Sequence, residues 1–241
     1  MDDGFLTENN AAKFDILQSK GWQDDPVLIR PFHAGDEMSY EQTFMGFDFD
    51  WMKKIDAKLI VDCGAYVGYT TYMFRKWFPN AYVVAVEPNE ENFRQLKRHT
   101  AIWYNTQKLE IVNKAIWYEN DKNMLSVLTD KGTDSTCYLQ GAEIKPGIYG
   151  SLYPVNTITI DKILSWFKRR AIERIDILKI DIEGSEAEVF AKNNFWLNYV
   201  NNICIEIHAQ NYDQVLSAMT GYNFKHQRNG EHEIFLNIRK K

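Results

Sequence analysis

Leu59-Ile-Val-Asp-Cys-Gly-Ala-Tyr-Val-Gly-Tyr-Thr70 brings an apolar run to Asp62, Cys63 and Gly64 and places a second glycine, Gly68, four residues later. Further on, Val83-Val-Ala-Val86 closes on Glu87 and Pro88. A strand, a glycine turn, a helix and a second strand ending in an acid form a unit that holds a nucleoside, with its polar tail at the turn and its ribose at the acid. The residues expected around such a ligand are Asp62, Gly64, Ala65, Tyr66, Gly68 and Thr70 at the turn, and Glu87 and Pro88 at the second strand end. Asn113 and Ala115 follow a third strand, where an adenine would lie. Glycine at 64 spares a Cβ where backbone nears a ligand, and Gly68 permits close entry into the next helix.

The unit departs from a dinucleotide site. G-x-G-x-x-G would put glycine where Tyr66 stands, and Asp62 sits just ahead of the turn, where a diphosphate would be repelled. A cation bearing an amine and a vicinal diol suits both acids. S-adenosylmethionine is such a ligand: it has a sulfonium, an α-amino group, a ribose diol and no phosphate. Glu87 would accept hydrogen bonds from both ribose hydroxyls.

A second group of candidates lies in Leu178-Lys-Ile-Asp-Ile-Glu-Gly-Ser-Glu186. Strand alternation puts Lys179, Asp181 and Glu183 on one side and Ile180 and Ile182 on the other. Charges at the mouth of a buried strand are costly unless paired or used. A Lys179–Asp181 pair beside a helix cap is the structural reading. The functional one has Asp181 orienting the donor amine or an acceptor hydroxyl, with Glu183 or Lys179 handling a proton. Glu206 and His208 repeat the theme on the following strand. Methyl transfer to a hydroxyl needs the acceptor held behind the methyl and a base for its proton. His208 is the natural base, with Asp181, Glu183 or Glu206 as orienter or alternative. The same groups are of a kind that holds a divalent metal, but no short ligand motif supports one.

These residues need an alternating scaffold, and the sequence supplies it. Strands are expected at 59–63, 82–87, 109–113, 175–181 and 203–207, and helices at 68–78, 89–101, 161–169, 183–193 and 212–220. Asn89 before Glu90 and Glu91 is a good N-cap. Residues 222–227 and 232–238 read as an antiparallel hairpin on an Asn229-Gly230 turn. Residues 115–160 read as a hairpin insertion with a Gly-, Ser- and Thr-rich connection from Thr129 to Pro154. The first 57 residues read as a helical cap, with helices at 8–20 and 39–54, the latter from the recurrence of Tyr40, Phe44, Phe47 and Trp51.

Composition narrows the class. At 241 residues, 45% hydrophobic and 25% charged, the chain suits one large domain with a substantial core. A net charge of −5 argues against a protein that grips a nucleic-acid backbone. Cys63, Cys137 and Cys204 are odd in number with no paired spacing, so neither a disulfide framework nor a zinc cluster is indicated. The acidic opening, without a basic and then an apolar stretch, leads us to expect no signal peptide, and no apolar run approaches the roughly 18 residues of a membrane span. A cytoplasmic location is expected.

At Val61-Asp-Cys-Gly-Ala-Tyr-Val-Gly-Tyr-Thr-Thr71, Val86-Glu-Pro88, Thr157-Ile-Thr-Ile-Asp161, Leu178–Glu186 and Ile205-Glu-Ile-His208, the chain resembles the FkbM family of S-adenosylmethionine-dependent methyltransferases. The resemblance implies an α/β, class I methyltransferase (Rossmann-like) fold. Such a fold has a seven-stranded, mostly parallel sheet with an antiparallel C-terminal hairpin strand and helices on both faces. It implies a methyltransferase domain over 58–241. It also implies O-methylation of a hydroxyl on a sugar, glycolipid or natural product, a small-molecule or carbohydrate acceptor. Residues 1–57 and the 129–154 loop fall outside it and are expected to determine the acceptor. Two other classes remain: a nicotinamide-dependent oxidoreductase, against which Tyr66 counts, and a non-catalytic binding domain retaining the fold.

Overall fold

In the computed structural model, residues 27, 29–30, 34–46, 49–129, 137–140 and 150–241 are described. The expected helix at 8–20 lies outside them, as do Phe47 and most of the 129–154 connection.

All five residues of β1 (Leu59–Cys63) are buried. Leu59, Val61 and Cys63 enter one apolar cluster and Ile60 enters another, so the period-two pattern serves cores on both faces of one sheet. β1 pairs in parallel with β2 (Tyr82–Val86) and with β8 (Ile177–Ile180). Outside these run β3 (Leu109–Val112) on one side and β9 (Asn202–Glu206) on the other. The hairpin of β10 (Tyr222–Asn229) and β11 (His232–Lys240) completes the sheet, with β11 antiparallel to β9. The order is β10-β11-β9-β8-β1-β2-β3. This is the class I methyltransferase order, seven strands with an antiparallel C-terminal hairpin. The reversal of strand order falls between β1 and β8, and ligands bind beyond the carboxyl ends of strands at such a point.

Local chemistry sets the helices. α2 (Tyr69–Trp77) starts after Gly68, whose φ of 94° is left-handed. α3 (Glu90–His99) is capped by Asn89, whose Oδ1 accepts from the N–H groups of Glu91 and Asn92 at 3.0 Å each. α4 (Ile160–Ser165) is capped by Thr159, which accepts from the Lys162 N–H at 3.1 Å. α5 (Glu186–Ala191) and α6 (Tyr212–Met219) follow β8 and β9.

The structure departs from expectation in three places. The helix expected over 39–54 is broken into α1 (Ala34–Tyr40), a π turn (Glu41–Met45) and a 3-10 turn (Asp50–Lys54). Extended backbone at Gly46 (ψ 167°) stops the second piece. The hairpin turn is Gly230-Glu231, since Asn229 pairs with His232; positive φ is needed only at Gly230, the first turn position. The insertion is also larger than one hairpin. β4 (Ala115–Ile116), β5 (Asn123–Thr129), β6 (Cys137–Gln140) and β7 (Gly150–Ile158) form a second sheet in the order β4-β7-β5-β6.

Candidate active site

The two ends of the central strands meet at Gly64. A Cβ there would lie 1.7 Å from the backbone oxygen of Asp181, and φ is 77°. Glycine is therefore required by the approach of the β8 turn, a demand separate from any ligand. Gly68 admits α3, since its Cβ would meet Leu96 Cδ1 at 2.6 Å.

Asp62 is fully buried. Its Oδ2 accepts from the hydroxyls of Thr70 at 2.7 Å and Thr71 at 2.6 Å, so Thr70 serves the turn through this carboxylate. Its Oδ1 has no hydrogen-bond donor, and Lys179 Nζ lies 3.6 Å from it. Glu87 at the end of β2 is 4% exposed. Oε2 accepts from the Tyr66 N–H and Oε1 from the Asn89 N–H, both at 2.9 Å. Burial nevertheless pushes its pKa up to about 7. Asn113 donates to the backbone oxygens of Glu87 at 2.9 Å and Pro88 at 3.2 Å, tying down the turn after β2. Ala65 packs in a cluster with Ala85, Phe93 and Leu96, and Ala115 with Met124 and Val155, so both methyl groups are core.

On the other side of the reversal, Lys179 donates to the Gly64 carbonyl at 3.0 Å and to Asp181 Oδ2 at 3.1 Å. Burial opposes its charge, but Asp181 and Asp62 outweigh burial and hold its pKa above the ordinary lysine value. Lys179 is thus held as a cation between Asp62, Asp181 and the Gly64 carbonyl. Asp181 is favoured as a carboxylate against its own burial by Lys179 and His232. β8 ends at Ile180, so strand alternation does not reach Glu183. Glu183 projects instead from a left-handed turn, with φ of 53° followed by 93° at Gly184. Buried Glu186 braces that turn, accepting from the Gly184 N–H at 2.9 Å, while Asn211 donates to Glu186 and to the Gly184 carbonyl.

His208 lies between two acids, with Nδ1 3.3 Å from Glu186 Oε1 and Nε2 3.6 Å from Glu183 Oε2. Hydrogen bonds to Glu183 and Glu186 raise its pKa to about 11. The two carboxylates favour its imidazolium form, which has no lone pair with which to accept a proton. Glu206 is the group near neutrality: burial first, then Asp181, Glu231 and Glu183, push it up to about 8. The cross-strand partner of Glu206 is His232, which is buried and meets Phe49 edge-on at 5.2 Å. Gln42 of the N-terminal segment donates to Glu231, beside the same acids. Sequence reading gave no role to Glu186, which closes the Leu178–Glu186 motif, nor to His232, Asn211, Arg30 and Asp36, which lie in no local motif.

A ligand with N–H and O–H donors fits this arrangement. Asp62 Oδ1 lacks a donor, and each Glu87 oxygen, having accepted one backbone N–H, retains acceptor capacity for a diol. Among the described residues, no three His, Cys, Asp or Glu side chains are placed to hold a metal ion, and no helix is long and apolar enough to cross a membrane.

The chain is similar to "Methyltransferase 1" of Beauveria bassiana (strain ARSEF 2860), 23% identical over 184 residues, covering 71% of this chain and 73% of that protein. Among solved structures it is similar to a methyltransferase from Pyrococcus furiosus, with TM-score 0.47, 12% identity and coverage of 98% and 100% of the two chains. It is also similar to an O-methyltransferase from Bacillus cereus in complex with SAH, with TM-score 0.46, 11% identity and coverage of 93% and 89%. The model of the methyltransferase FkbM domain matches residues 62–236, a result that does not favour the nicotinamide-dependent alternative. The cofactor is S-adenosylmethionine, and the chain belongs to the FkbM methyltransferase family.

Proposed function

We propose that the enzyme methylates a hydroxyl oxygen of an uncharged, polyhydroxylated acceptor: a sugar, a glycolipid or a natural product. The observation that carries this reading is the acid group at the ends of β8 and β9, where Asp181, Glu183 and Glu206 gather and Glu206 has its pKa pushed up to about 8. Carboxylates accept hydrogen bonds from hydroxyls and repel phosphate, which favours a polyol over a nucleic acid.

In this reading Asp62 and Glu87 hold the donor, the former through its amine and the latter through its ribose. The bound donor supplies a methyl on a sulfonium, which becomes a neutral thioether once the methyl is taken. Asp181, fixed by Lys179, orients the acceptor hydroxyl. Glu206, when ionised, accepts the hydroxyl proton, and a base whose pKa lies near the working pH is well matched to that task. His208 and Glu186 brace Glu183, so the turn bearing it keeps its shape. The test is to incubate the protein with methyl-labelled donor and a panel of sugars, glycolipids, amines and RNA, and to locate the label by mass spectrometry. Label on oxygen of a hydroxylated acceptor is expected; label on nitrogen or on RNA alone would overturn the reading.

A further inference from the structure

Arg30 and Asp36 belong to the N-terminal segment, outside the matched domain, and form a pair withdrawn from solvent: the side chains are 12% and 1% exposed. A buried charge pair is seldom worth its desolvation for stability alone. This one has unusually specific geometry. Asp36 Oδ2 accepts from Arg30 Nε at 2.8 Å and from the Arg30 backbone N–H at 3.0 Å, and Oδ1 accepts from Nη2 at 2.7 Å. The Tyr66 hydroxyl donates to Asp36 Oδ1 at 2.5 Å and accepts from Arg30 Nη2 at 3.0 Å. Arg30 Nη2 also donates to Asn92 Oδ1 at 3.0 Å.

Two routes lead from this pair to Glu87. Tyr66 sits in a left-handed conformation (φ 51°), unfavourable for an aromatic residue, and its backbone N–H donates to Glu87 Oε2 at 2.9 Å. Asn92, its oxygen occupied by Arg30, has its side chain beside Glu87, where it favours the ionised carboxylate. The guanidinium thus orients the Asn92 amide, and the carboxylate–phenol bond fixes the turn that aims the Tyr66 N–H.

We propose that Arg30 and Asp36 are positioning residues for the methyl donor, acting through Tyr66 and Asn92 to hold the Glu87 carboxylate in place for the ribose diol. The proposal rests on the assignment of Glu87 to the donor. It gives the N-terminal segment a role in donor affinity, where the sequence suggested only acceptor choice.

The experiment is calorimetric titration of the full chain with S-adenosylhomocysteine between pH 6 and 9, for wild type, Glu87→Gln, Asp36→Asn, Arg30→Lys and Tyr66→Phe. Asp36→Asn and Tyr66→Phe are expected to raise Kd about 10-fold, as loss of a hydrogen bond to a charged group does. Both should also move the pH midpoint of donor affinity upward, because Glu87 loses donors that favour its ionised form. Arg30→Lys keeps the charge but loses the fork, and should act in the same direction. A purely structural role would weaken binding equally at every pH and leave the midpoint in place, which overturns the proposal. So does wild-type affinity in Tyr66→Phe, which removes one hydroxyl and decides the matter if Asp36→Asn fails to fold. If Glu87→Gln itself binds like wild type, the donor assignment fails, and the proposal fails with it.

Discussion

Lys179 Nζ lies 3.1 Å from Asp181 Oδ2 where the chain leaves β8, and the same ammonium reaches back to the β1 end through the Gly64 carbonyl at 3.0 Å. One buried cation therefore joins the ends of β1 and β8. Lys179→Met removes the ammonium that faces both Asp62 and Asp181. A loss of about 3 kcal/mol is expected, as for breaking a buried pair from one side. Denaturant unfolding measures it, and an unchanged midpoint would show that the ammonium is not holding the two strand ends.

Donor affinity should depend on pH through Glu87. Burial raises its pKa to about 7, and ribose hydroxyls donate only to advantage when it is ionised. Affinity for S-adenosylhomocysteine is expected to rise from pH 6 and level off above about 7, with proton release on binding at the lower pH. Glu87→Gln should weaken binding roughly 10- to 100-fold and flatten this dependence.

In the proposed function Glu206, not His208, takes the proton, and the pH profile separates them. With Glu206 near 8, kcat is expected to climb with pH towards about 8, and Glu206→Gln should abolish that limb while donor binding persists. His208→Gln removes an imidazolium whose pKa of about 11 lies above the working range. It should keep the limb, moved toward higher pH because the imidazolium favours the Glu206 carboxylate, and lower activity by loosening the Glu183 turn. Loss of the limb in His208→Gln with its retention in Glu206→Gln would reverse the assignment.

Two glycines offer a matched contrast. Gly64→Ala forces a Cβ against the Asp181 carbonyl at a left-handed φ of 77°. It is expected to cost about 3 kcal/mol or more, since neither neighbour is a flexible side-chain end. A Cβ at Gly221 meets nothing within 4 Å, and Gly221→Ala should be close to neutral. Thermal unfolding of the two variants compares them directly.

Much of the fold was legible because it is written locally. The apolar run of β1, the Asn89 cap and the hairpin near Asn229-Gly230 all follow from patterns within a few residues. Misreadings arose where a local pattern continued past its structural end. Lys179, Asp181 and Glu183 alternate in sequence, but the strand stops at Ile180 and Glu183 is turned by its own left-handed backbone. Tyr40, Phe44 and Trp51 recur at helical spacing, but the chain bends at Gly46 between them.

The sequence by itself determined the order of strands and helices and which acids stand at the strand ends, because periodicity, caps and turns are short-range. It also carried the family's motifs, and through them the methyl donor. Only the tertiary structure decided how each of these side chains is held and charged. Asp62 spends one oxygen on Thr70 and Thr71, His208 is charged by two glutamates, and Glu206 is pushed toward neutrality by neighbours on other strands. The approach of Arg30 and Asp36 to Tyr66 joins positions 36 and 30 residues apart. A contact between side chains so far apart along the chain leaves no periodic trace, and arises only when the folded elements bring them within bonding distance.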